Sequence, residues 1–84
     1  MRILSAMNPV QYIRKIVFHM TQSAFAATLG VTQPSIARWE ATGRVPDEHQ
    51  SKVREIGRDI CNSRGISWND AWFFEVPAET SEAA

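Results

Sequence analysis

Five apolar positions and one glycine within residues 21–40, TQSAFAATLGVTQPSIARWE, constrain this chain more than any other feature. Phe25 and Leu29 stand one helical turn apart, Ile36 and Trp39 repeat that relation, and Val31 falls between the pairs. Ala26 is small at a point where two helices would cross closely. Gly30 stands at the corner, where a left-handed backbone costs a residue without Cβ almost nothing. Thr21 and Thr32 each precede one of the segments as N-caps. The pattern predicts two short helices, one ending at Leu29 and the other near Ala41, with Val31 plugging the corner. The second helix presents polar side chains from its start.

The flanks supply further helices. Asn8-Pro9-Val10-Gln11 is a strong opening: Asn8 can cap, proline is favoured at the first helical position, and Gln11 can reach back to complete a capping box. That helix is expected to run to about His19, with Val10, Ile13, Val17 and Met20 as its apolar stripe and Ile16 beside it. Thr42-Gly43-Arg44-Val45-Pro46 breaks the chain. A longer helix follows, with Asp47 and Glu48 favourably placed at its positive N-terminal end. His49, Val53, Ile56 and Ile60 recur along it at helical spacing, with Cys61 alongside, and Gly65-Ile66 after Ser63 fits a Schellman close. Ser67-Trp68-Asn69-Asp70 reads as another capping box, opening a short fifth helix through Phe74. The expectation is an all-α fold of five helices over residues 8–76, between a flexible N-terminus at 1–7 and a disordered acidic tail at 77–84.

Composition narrows the function classes. Apolar content of 44% is ordinary for a globular domain and argues against general disorder. A single cysteine, Cys61, excludes an internal disulfide and a cysteine-based zinc site, and is read as a buried small hydrophobe. His19 and His49 stand apart, and no carboxylates cluster, so no catalytic or metal constellation is seen; neither an enzyme nor a cofactor is expected. There is no signal-like N-terminus and no apolar run of about 20 residues, so the expected location is cytoplasmic, without membrane contact. Net charge is zero, yet residues up to Arg64 carry nine basic against five acidic side chains, a balance of +4, and the remainder carries −4. A cationic domain with an acidic appendage fits that division.

Two helices joined by a glycine corner, the second polar at its start, form the pattern of a helix-turn-helix. The segment closely resembles that of the phage Cro and repressor superfamily, which includes small phage-derived regulators and antitoxin-like proteins. The resemblance rests on Thr21-Gln22, Ala26, Leu29-Gly30-Val31-Thr32-Gln33, Ser35-Ile36, Arg38-Trp39-Glu40, Gly43 and Pro46. The resemblance covers Pro9 to about Arg64 and implies that the five-helix unit over residues 8–76 is a lambda-repressor-like DNA-binding domain.

The residues themselves suit that chemistry. Gln33 has an amide able to pair with adenine N6 and N7, Arg38 can pair with guanine O6 and N7, and the Pro34 ring can meet a thymine methyl. Pro34 also disfavours the α conformation at Gln33, which leaves the start of this helix open by a residue. The resemblance assigns base contact to Gln33, Pro34 and Arg38, supported by Ser35 or Thr32. It implies a phosphate grip for Gln22, which in the family can also brace the glutamine opening the next helix. Thr32, Arg44 and Arg14 are the further backbone candidates. The resemblance also implies a pair between Glu40 and Lys15. Ala41 departs from the asparagine or arginine common in relatives, and Thr42 lengthens the loop before Gly43. Lys52, Arg54 and Arg58 read as a solvated charged surface.

Trp68, Trp72, Phe73 and Phe74 put four of the eight aromatics into seven residues. Either they fold back as a lid over the first and fourth helices, or some pack across a two-fold axis. Aromatics dominate interface centres, and the resembled family generally binds pseudo-palindromes as dimers, so these four are expected at a homodimer interface. The expected function is a sequence-specific, double-stranded-DNA-binding regulator, a Cro-like phage or prophage repressor of its operator. The alternative is an antitoxin-like module whose C-terminal segment grips a partner protein while the domain regulates its own operon.

Overall fold

Local capping signals set most of the helix ends. The computed structural model describes residues 7–77. In order, α1 (Pro9–Tyr12) runs without a break into a π-helical segment (Ile13–Val17), followed by α2 (Gln22–Leu29), α3 (Gln33–Thr42), α4 (Asp47–Ser63) and a 3-10 turn (Asp70–Phe73). The expected termini at 1–7 and 77–84 lie outside the described residues except for Met7, which packs against the core, and Pro77.

Asn8 builds the expected capping box: its side chain accepts from the Gln11 N–H at 3.0 Å, and the Asn8 N–H donates to Gln11 Oε1 at 3.2 Å. Its Nδ2 also donates to the Glu40 carbonyl at 2.5 Å, tying the start of the first helix to α3. The Thr21 hydroxyl accepts from the Ala24 N–H at 3.1 Å and the Thr32 hydroxyl from the Ser35 N–H at 3.3 Å. α2 closes on Gly30, whose φ of 75° lets Val31 N–H reach back to the Ala26 carbonyl at 3.0 Å. α4 closes as a Schellman motif, with Ile66 N–H on the Cys61 carbonyl at 2.9 Å.

The first helix departs from expectation. Phe18 N–H bonds the Ile13 carbonyl at 2.9 Å, the i→i+5 pattern of a π turn, and regular helix stops at Val17 rather than His19. The widened turn leaves Val17 and Phe18, adjacent in sequence, both buried. His19 then takes a left-handed conformation, with φ of 55°. Arg64, at the end of α4, donates to the Val17 carbonyl and places its charge at the negative end of this helix. Ile16 is exposed.

The core gathers Val10 and Ile13 of the first helix, Phe25, Ile36, Val45, and Val53 and Cys61 of α4, all fully buried. Burial also pushes the Cys61 thiol pKa up. Phe18 meets Phe25 edge-on, with ring centroids 5.2 Å apart.

The expected fifth α-helix is a correction. Among the described residues there are four helices and, in place of a fifth, a single 3-10 turn capped by Asn69 rather than Ser67. Pro77 forbids another turn, and the residue before it is biased away from the α region. Within the turn, Trp72 meets Tyr12 edge-on at 5.6 Å, which covers the start of the first helix beside its core stripe while Lys15 and Ile16 stay exposed. Phe73 is only 3% exposed. Trp68 packs closely against α4 at Gly57, where an added Cβ would stand 2.5 Å from the indole ring. Asp70 accepts from Trp68 Nε1 at 2.7 Å and from Arg54 Nε at 2.9 Å, and Arg54 sits 5.6 Å over the Phe73 ring.

Candidate nucleic-acid interface

Thr32 holds the extended conformation just before α3, which makes Gln33 the first helical residue and Pro34 the second, where a missing N–H costs nothing. Gln22 opens α2 in the same way. Packing of α2 on α3 therefore brings two helix starts side by side, each carrying a glutamine.

A hydrogen-bonded chain joins these glutamines to the interior. Gln33 Nε2 donates to Gln22 Oε1 at 2.7 Å, and Gln22 Nε2 donates to Glu40 Oε1 at 3.0 Å. Glu40, buried on the inner face of α3, is paired with Arg14 through Nε and through Nη2, the latter at 3.4 Å. Arg14 Nη1 donates to the Met20 carbonyl at 2.9 Å. Burial raises the Glu40 pKa, but the bonds from Arg14 and Gln22, with the Arg14 charge, outweigh it and hold the carboxyl below its ordinary range. Glu40 is therefore ionised near neutral pH and acts only as an acceptor.

This arrangement corrects two expectations. Lys15 is exposed and the Glu40 partner is Arg14. Arg14, expected at the DNA backbone, is buried and has its guanidinium engaged within the protein. Helical phase carried the signal: Arg14 stands four residues after Val10 and three before Val17, on the apolar stripe, whereas Lys15 is rotated off it.

The remaining candidates share one surface. Thr32, Gln33, Pro34 and Arg38 are exposed and Ser35 is half-buried, with the Thr32 and Ser35 hydroxyls 3.0 Å apart. Beside them runs an open groove of about 370 Å³ between α3 and the start of α4, lined among others by Ser35, Arg38, Arg44 and His49. Arg44 is held only loosely, 3.7 Å from Asp47. The Trp39 indole is buried, with the His49 ring against it at 5.0 Å between centroids. Amide, hydroxyl and guanidinium groups are thus presented together, the groups that complement base edges and phosphates.

The aromatic segment is dispersed by the fold. Phe73 belongs to the core, so it is withdrawn from the expected interface set because its ring faces the chain's own interior. Trp68 and Trp72 are half-buried against α4 and the first helix, and Phe74 alone stands clear, 69% exposed. Sequence reasoning missed Gly57, the seat of Trp68; the available signal was a lone glycine inside a helical pattern, unfavourable there unless packing requires it.

Among the described residues no three His, Cys, Asp or Glu side chains gather as a metal site, and no helix is long and apolar enough to cross a membrane. In comparisons with protein-family models, curated proteins and solved structures, nothing matched the chain.

Proposed function

We propose that the chain is a sequence-specific double-stranded-DNA-binding regulator that uses α2 and α3 as a helix-turn-helix. The observation that carries this reading is the pair of helix starts joined by the Gln33–Gln22 hydrogen bond, with Pro34, Ser35 and Arg38 on the same surface. α3 enters the major groove, where Gln33, Pro34, Ser35 and Arg38 meet base edges, while Gln22, Thr32 and Arg44 grip phosphates on either side. A single copy reads few base pairs, so a homodimer on a pseudo-palindromic operator is the functional unit. Repression follows from occupying an operator that overlaps a promoter, the Cro-like phage or prophage role.

Fluorescence anisotropy with DNA from upstream of the chain's own gene and with scrambled DNA, across a salt series, tests this. Preferential binding that weakens log-linearly with salt supports the reading, with a slope of about −0.9 per phosphate neutralised. Sequence-blind binding to a genome-wide fragment library as well sinks it. The exposed Phe74 ring favours one second reading, a protein partner gripped by the C-terminal segment as in antitoxins. A co-purifying protein released by Phe74→Ser supports that alternative.

A further inference from the structure

His49 decides the sign of the charge beside α3. The groove between α3 and the start of α4 has Arg38 on one wall and Arg44 in the loop that joins the two helices. Two carboxylates balance these guanidinium groups: Asp47 stands 3.7 Å from Arg44, and the exposed Glu48 stands 3.4 Å from His49 Nε2. With a neutral imidazole the two positive and two negative charges cancel, and with an imidazolium the groove is cationic. Lys52, one turn further along α4, is exposed and outside the groove lining. The His49 ring is held in place rather than loose. It is half-buried and packs on Trp39, with centroids 5.0 Å apart and planes 36° from parallel, near enough for the indole to stabilise a cation. Histidine is the side chain whose charge ordinarily changes between pH 5 and 8.

We propose that His49 is a phosphate-binding residue that grips the DNA backbone as an imidazolium, so that each copy takes one proton from solvent as it binds. This rests on the DNA-binding reading above and adds a contact outside α2 and α3, together with its control by pH. In that reading Arg44 grips a phosphate at the edge of the groove, and the His49 ring lines the same groove. A phosphate there favours the charged ring, and by linkage the charged ring favours the phosphate by the same factor. Arg38 and Arg44 oppose the added positive charge, while Glu48 and Asp47 favour it. The other histidine is placed elsewhere: His19 Nε2 lies 3.0 Å from Arg64 Nη2 at the far end of α4, where a neutral ring accepts.

The test is anisotropy with the duplex most enriched from a randomised library, in salt series at about pH 6 and about pH 7.5, for the wild type, His49→Gln, His49→Arg and His19→Gln. The wild type is expected to bind about fivefold more tightly per copy at the lower pH, with a salt slope steeper by about 0.9 per copy, the mark of one more phosphate neutralised. His49→Gln keeps the weaker affinity and shallower slope at both pH values. His49→Arg, charged throughout, keeps the steeper slope at both, and His19→Gln behaves as the wild type. Folding of each variant is checked by thermal melting. If neither His49 variant folds, calorimetry in two buffers of different ionisation enthalpy decides, because the chain has two histidines. Net proton uptake that survives in His19→Gln supports His49, and uptake that is absent or lost with His19 overturns it. A pH response retained by folded His49→Gln, a response without a change of slope, or sequence-preferring wild-type binding that ignores pH overturns this inference and leaves DNA binding standing. No enrichment of any duplex by the wild type overturns the DNA-binding reading itself, and this inference with it.

Discussion

The network around Glu40 and the aromatic turn over Gly57 are held by opposite means. In the first, a buried charge pair is stabilised only because every polar partner is present, and its outer end, Gln33, is left exposed. In the second, large apolar rings close over α4 and the first helix, with Asp70 pinning Trp68 and Arg54 at the rim. The polar region directs side chains outward from a fixed base. The aromatic region uses its side chains on the chain itself. Clustering of a residue type in sequence therefore says little about its destination: four neighbouring aromatics reach three different environments.

The contrast within the aromatic turn gives the largest expected effect. Phe73→Ala should cost about 3–5 kcal/mol in urea denaturation, the usual range for emptying a buried aromatic site. Phe74→Ala should stay within about 0.5 kcal/mol. Equal losses would break the distinction between an inward and an outward ring. Next, Glu40→Ala should cost about 3 kcal/mol by the same measurement, because Arg14 is left buried without its partner. The double change Arg14→Met with Glu40→Leu should recover much of that loss, and no recovery would mean the pair itself is net stabilising. Gly57→Ala should cost about 1–2 kcal/mol through overpacking against Trp68, despite the better helix propensity of alanine, with a change in near-UV circular dichroism.

Acidity separates the regions by a smaller margin. The folded Glu40 pKa is depressed, so its contribution is fully present above the ordinary value of 4.5 and is lost as pH falls through the lower folded value. Asp70 acts in the same direction, its carboxyl held down by the Trp68 N–H and by Arg54, but from an exposed position. Thermal melts should therefore drop between pH 5 and pH 3, on the order of the usual carboxylate window, and Glu40→Gln should flatten that drop more than Asp70→Asn. The reverse order would place the dominant acid-sensitive contact at the aromatic turn.

The parts legible in sequence were those decided within a few residues. Asn8 with Gln11, Thr21, Thr32, Gly30 and Gly65 each carry their instruction locally, and α2, α3 and α4 begin or end where those residues stand. What was not legible depends on contacts between distant segments. The π turn is favoured once both Val17 and Phe18 have a core to enter. The Arg14 assignment is a different case: the phase of the apolar stripe carried it in the sequence, and the motif position pointed to Lys15 instead. The 3-10 turn looked like a helix start because its capping residues are those of a helix, while its length is set by Pro77 and by the surfaces its rings must reach. The candidate surface followed the same division. Gln22, Gln33, Pro34 and Arg38 were marked by their place at or near helix starts, whereas Glu40 behind them gains its significance only from the tertiary chain.

The notch at Gly57 ties two positions eleven residues apart into a single evolutionary unit. The helix gives up a side chain there so that an indole can pack against its backbone. A lineage that gains a side chain at position 57 loses packing unless it also gives up the ring at 68, and one that loses the ring is free to fill the notch with alanine and gain helix propensity. In a family of descendants, substitutions at the two positions would tend to appear together, with glycine favoured wherever tryptophan remains.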